Sequence, residues 1–325
     1  MKKNALTFLL ILVVIVGLVV LGKLMIKPTY DNQAKNPYDL NLDSIGQIAK
    51  EKYGDYSSSI LAVPFKTAKA LAVDSENTIY VSGDHKILIL TPNGEKVRAF
   101  ETGKTTATAL VVGPDHKIYA AFENHLITYS ADGQILKKWP VINESSYITS
   151  LAILMDILYV ADATEASVYK YKTDGTFIRS IGSRDNKDAS TFILPSNYFD
   201  VAVDSDGAPW VANTGKHKLV HFDSEGILLS SWGETSSAVE GFCGCCNPSH
   251  FAIMKDGSFI TAEKGIVRVK KYNSVGKFEC AIAGPEQFKP GATGLDIVVN
   301  SENEILVLEP NGGKIHLFKS KNSTL

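Results

Sequence analysis

Cysteine is scarce in this chain: four residues in 325, and three of them fall within GFCGCCNPSH, residues 241–250. That crowding argues against an ordinary disulfide framework, which spreads its cysteines because closing longer loops restricts the unfolded chain more. A dominant charge is missing too. Lys and Arg number 33 against 35 Asp and Glu, a formal net charge of −2, so the whole chain is drawn neither to nucleic acid nor to an anionic surface. The basic residues are not clustered and interleaved with aromatics as an RNA surface requires. No GxSxG, phosphate loop, dinucleotide fingerprint or HExxH occurs, which removes the commonest hydrolase, nucleotide and zincin sites.

What is present begins with a greasy N-terminus. Lys2 and Lys3 precede an unbroken apolar run from Ala5 to Gly22, long enough to span hydrocarbon. It has no small-x-small cleavage site and no following lipoprotein cysteine, so residues 1–26 read as an uncleaved signal anchor. The basic tail predicts an exported body: a single-pass membrane protein with its bulk in the periplasm or outside the cell. Residues 27–56 are polar and weakly periodic, a linker with a short helix around Ser44–Lys52.

From residue 57 onward the sequence repeats. ALAVDSENTIYVS, ALVVGPDHKIYAA, SLAILMDILYVA, DVAVDSDGAPWVA, HFAIMKDGSFITA and DIVVNSENEILVL start at residues 70, 109, 150, 200, 250 and 296, spaced 39 to 50 apart. Each is two short apolar strands around a polar turn, and most continue into a third strand, a turn such as TPNG or DSEG, and a fourth. That period signals propeller blades. The last copy ends at KIHLFKS without a fourth strand, while SSSILAVPF (57–65) precedes the first copy without a partner. Pairing residues 60–65 with the last blade leaves no open sheet edge. The expectation is an all-β, six-bladed β-propeller over residues 57–325.

The blade pattern resembles the NHL-repeat family of β-propellers, most closely in DVAVDSDGAPWVANTGKHKLVHFDSEG. The family includes lyases, hydrolases and platforms for protein or RNA, so the resemblance implies a fold before it implies a function. The CGCCNP element lies outside the general repeat and is similar to elements in membrane-anchored bacterial NHL proteins. NHL lyases that open peptidyl-hydroxyglycine hold a channel metal with histidines, one place earlier in the repeat than His250, which argues against that activity here.

In an antiparallel blade the inner strand starts on the face where the second strand ends. Aligned copies place Ala70, Ala109, Ser150, Asp200, His250 and Asp296 at the first position. Gly83, Phe122, Asp162, Asn213, Glu263 and Glu309 occupy the second. Asp200, His250 and Asp296 on consecutive blades could hold a divalent cation; the plainer reading is aspartates bonded to backbone N–H groups and a packed histidine. Cys243, Cys245 and Cys246, with Cys280 on the outer strand of blade five, leave three options open. They could form a disulfide, a site for a thiophilic metal, or free thiols. Lys264 and Arg268 in EKGIVRVKKY, with Asp162, Asn213, Glu263 and Glu309, complete a binding rim; a solvated strand is the alternative.

The leading reading is therefore a membrane-tethered, extracytoplasmic binding or assembly subunit. It meets a protein partner in the cell envelope and no nucleic acid, with a redox or metal role at the cysteine-capped mouth. The competing readings are a metal-dependent lyase or hydrolase working in the channel, and a plain scaffold.

Overall fold

Two-residue periodicity with apolar side chains on both faces demands a strand buried on both sides, and the second strand of each repeat shows why. In ILVLE (305–309), Ile305 and Val307 enter one apolar cluster while Leu306 and Leu308 enter another. The computed structural model describes residues 47–182 and 192–321, together with Leu12 and residues 15–17. Within them the chain forms six four-stranded antiparallel sheets, the blades of a β-propeller. The inner strands stand next to one another in a ring, the sixth meeting the first.

The core is six wedges, one between each pair of neighbouring blades. Val63, Leu71, Val81, Leu308 and Ile315 fill the wedge between the first and last blades, and Trp210, Phe242, Phe251 and Phe259 that between the fourth and fifth. Apolar burial thus lies between sheets, and the centre is left to the edges of the inner strands. The hairpin tips explain the repeated Asp/Asn-x-x-Gly turns. Asp204 Oδ1 accepts the N–H groups of Asp206 and Ala208, and Asp223 Oδ1 those of Glu225 and Ile227. A side chain that mimics a turn carbonyl is what Asp and Asn supply there.

The sixth blade is closed by the strand Tyr56–Ala62, antiparallel to Lys314–Ser320 from Tyr56↔Ser320 to Ala62↔Lys314. This strand starts earlier than the 60–65 read from the sequence. It lies at the outer edge, where Ser57–Ile60 are exposed, so backbone pairing rather than apolar alternation selects it. The apolar residues that suggested the later register do other work: Val63 and Phe65 are buried in the seam wedge. Gly83 makes room for Phe65, because a Cβ there would come within 2.3 Å of the ring.

Of the N-terminal unit, Met1–Asn41, only Leu12 and residues 15–17 are described, and they are helical. The remainder of the expected membrane anchor lies outside the described residues, and among those described no helix is long and apolar enough to cross a membrane. Of the expected short helix, Lys50–Lys52 is a 3-10 turn.

Candidate functional site

Three of the six residues in the column at the start of the inner strands act as latches, while Ala70 and Ala109 have no side chain that could. Ser150 Oγ meets Val201 N–H at 3.3 Å, Asp200 Oδ2 accepts Phe251 N–H at 2.7 Å, and Asp296 Oδ2 accepts Leu71 N–H at 2.7 Å. Each tethers its blade to the next inner strand around the ring. Blade five carries His250 at this position. Its Nδ1 lies 3.6 Å from Asp200 Oδ2 and 3.7 Å from Asp296 Oδ1, ion-pair distances too long for hydrogen bonds. Among the described residues no hydrogen-bond partner reaches this buried nitrogen.

Burial disfavours the charged imidazole, but the Asp200 carboxylate and then Asp296 override it and raise the His250 pKa above its ordinary 6.5. Burial pushes Asp296 from 3.8 to about 6, with Asp200 adding to the rise and His250 opposing it. Both shifts are upward, so the folded state holds extra protons. Their stabilising contribution is complete below the unfolded values and is lost as pH rises through about 6 for Asp296 and above 6.5 for His250. Asp296→Asn therefore flattens the decline of the thermal midpoint between about pH 4 and pH 6. Scanning calorimetry of the two proteins across that range checks it; parallel slopes would show that the carboxyl does not titrate there.

His250 borders two connected spaces. One is the channel, a cavity of about 240 Å³ between the inner strands. The other is its mouth, about 370 Å³, lined by Tyr147, Thr149, Asn197, Tyr198, Thr293 and Lys69 among others. The Tyr198 ring stands edge-on to His250 at 6.2 Å and receives the Lys264 ammonium at 4.8 Å on its face.

The second column does not line this mouth. Each of its polar members pins the loop that leads into its own blade. Asp162 accepts Tyr147 N–H, Asn213 accepts Ile193 N–H, Glu263 accepts Cys243 N–H and Glu309 accepts Lys289 N–H. In the last two blades the same acid also pairs with a buried base seven residues on: Glu263 with Lys270 at 3.2 Å, and Glu309 with His316 at 3.0 Å. Arg268, read above as a rim cation, is 1% exposed. It grips Glu263 through Nε at 2.5 Å and Nη2 at 3.0 Å. Lys270 is fully buried, donates to Gly241 O at 2.6 Å and packs on the Phe242 and Tyr272 rings. Burial lowers its pKa to about 8 against the pull of Glu263. Neither the rim nor the solvated-strand reading describes this segment. It is a buried charge cluster that fastens the cysteine loop.

The loop's three thiols and Cys280 are unbridged. Cys280 sits against Gly54, and its pKa is raised by burial. Cys243 faces Arg268 Nη2 at 3.6 Å; burial, then Glu263, raises its pKa. Cys245 is exposed, Cys246 buried, and their sulfurs stand 3.1 Å apart. The Cys246 hydrogen bond and the Lys264 ammonium hold Cys245 below an ordinary thiol, whereas burial raises Cys246. Among the described residues no group of three or more His, Cys, Asp or Glu converges closely enough to hold a metal ion. At His250 the Asp200 oxygen nearest the imidazole also accepts Phe251 N–H.

No family model and no curated protein matches the chain. Solved structures do. A catalytically inactive virginiamycin B lyase from Staphylococcus aureus with quinupristin is 13% identical, with a TM-score of 0.56 over 82% of this chain and 99% of that one. A gluconolactonase from Xanthomonas campestris is 14% identical, with a TM-score of 0.60 over 82% and 90%. The WD40 propeller of Doa1 is 13% identical, with a TM-score of 0.54 over 79% and 80%. The fold is a six-bladed β-propeller. At these identities the likeness carries the fold alone, and the three neighbours do different things with it.

Proposed function

We propose that the chain is a membrane-tethered, extracytoplasmic NHL-type propeller that binds a protein partner of the cell envelope at its channel mouth. The observation that supports this reading is the mouth's chemistry. It is concave, rich in hydroxyl and amide groups, carries Lys69, and has His250 at its base. The acids of the second column lie away from the mouth, each pinning the loop that leads into its own blade. A loop or chain end rich in carbonyl and carboxylate oxygens suits such a surface, with orientation set by a few placed polar groups. The basic tail and apolar run before the propeller supply the tether and the direction of export.

A photo-crosslinking residue at Tyr198 or Thr293, in the full chain in its native membrane, should yield one discrete adduct. The same residue at Phe177, on an exposed outer strand, should yield none. Adducts from Phe177 alone would move the binding surface to the outer strands and refute the mouth.

A second reading, a lyase or hydrolase working in the channel, draws on the buried His250 between two carboxylates. Its metal-dependent form finds no support in the donor geometry, since no group of three or more metal donors converges among the described residues.

A further inference from the structure

The cysteine loop is built more firmly than a surface loop needs to be. Asn247 ties it across both ends, accepting Lys264 N–H through Oδ1 at 2.8 Å and donating through Nδ2 to Lys264 O at 3.1 Å and to Cys243 O. His217 Nε2 meets Gly244 O at 2.5 Å, and Glu263 takes Cys243 N–H at 3.3 Å. These anchors leave two adjacent sulfurs 3.1 Å apart, one exposed and one buried. The Lys264 ammonium favours the thiolate of either, and Ser196 Oγ donates to the buried one at 2.8 Å. An exposed thiol beside a cation, with a second thiol in contact behind it, is the division of labour of an attacking and a resolving cysteine.

We propose that Cys245 and Cys246 form a thiol–disulfide exchange pair acting on a disulfide carried by a partner or small molecule. The Cys245 thiolate attacks one sulfur of the substrate disulfide, forming a mixed disulfide, and the other substrate sulfur leaves as a thiolate that takes a proton. The Cys246 thiolate then attacks Cys245 Sγ and releases the second substrate thiol. Two protons and two electrons pass from the pair to the substrate, and the pair is left joined. Adjacent Cα atoms are about 3.8 Å apart, short of the roughly 4.4–6.8 Å of ordinary disulfides, so that bond is strained and readily reduced. A second dithiol restores the pair and takes up the bond, making the site a shuttle. This stands apart from the mouth-binding reading: a propeller that bound nothing at His250 would still carry it.

The test uses the full chain in detergent with oxidised glutathione as the probe, followed by thiol counting and peptide mass spectrometry. Wild-type protein should lose two thiols, release two glutathiones for each disulfide consumed, retain no glutathione, and show Cys245 joined to Cys246. Cys246→Ser should trap glutathione on Cys245, and Cys245→Ser should react about tenfold more slowly or not at all. Wild-type protein that keeps glutathione on Cys245, a Cys246→Ser variant that traps none, or a Cys245→Ser variant that reacts at the wild-type rate would each overturn the proposal. Should Cys246→Ser fail to fold, the wild-type product decides alone: a joined pair free of glutathione supports exchange, and retained glutathione refutes it.

Discussion

A chain lacking residues 1–66 should aggregate and lose cooperative unfolding, whereas one lacking only residues 1–46 should unfold at the full-length midpoint. The longer deletion removes all seven residue pairs of the seam strand and leaves Lys314–Ser320 as an unpaired edge. It also strips Val63 and Phe65 from the seam wedge. Burying two such side chains is worth about 3–6 kcal/mol, a large part of the roughly 5–15 kcal/mol that holds a typical domain. The shorter deletion touches neither. It keeps Tyr53, whose hydroxyl reaches Glu286 at 2.8 Å, and Lys52, paired with Glu240 at 2.7 Å. Calorimetry and light scattering distinguish the two, and equal stability would mean that the ring does not need its seam.

Glu263→Ala should cost about 3–5 kcal/mol, the range for removing one member of a buried charge cluster. Two cations, Arg268 and Lys270, would be left in a site where neither has water. The damage should spread into the cysteine loop. Arg268 and Lys270 reach the carbonyls of Ser237, Ala238 and Gly241, and Tyr272 that of Glu240, so a cluster without its acid loosens the segment that positions Cys243. Lys270→Met should be far milder, because a flexible apolar chain keeps the packing on Phe242 and Tyr272 and removes a charge already disfavoured there. Chemical denaturation of both variants, with alkylation rates at Cys243, checks the pair. If the Glu263 variant matched wild type, the cluster would be ornamental.

The blades were legible in the sequence because each strand pair repeats an apolar alternation around an Asx turn, and that pattern depends only on local chemistry. The seam register was not, since an edge strand such as Tyr56–Ala62 is chosen by backbone pairing and carries little apolar signal. Asp200, His250 and Asp296 could be placed in one column by alignment, and they do meet. That the two aspartates also latch the neighbouring blades requires three-dimensional contacts no spacing shows. The buried cluster had left a trace. Lys270 occupies the register held by Leu88 and Val220 in other blades, a core position, so a charge there called for a buried partner. The partner, Glu263, stood seven residues earlier. His316 and Glu309 repeat the arrangement one blade on.

The most direct test of the account is a paired reading of His250→Ala: its thermal midpoint, and its crosslinking from Tyr198 in the native membrane. His250 lies at ion-pair distance from both Asp200 and Asp296, so its removal leaves two facing carboxylates and should lower the midpoint, while the six apolar wedges keep the ring folded. If His250 sets the base of a binding mouth, the variant should still unfold cooperatively, well above the crosslinking temperature, while the Tyr198 adduct falls at least about tenfold, the loss of one placed polar contact. An unchanged adduct in a folded variant would contradict the account.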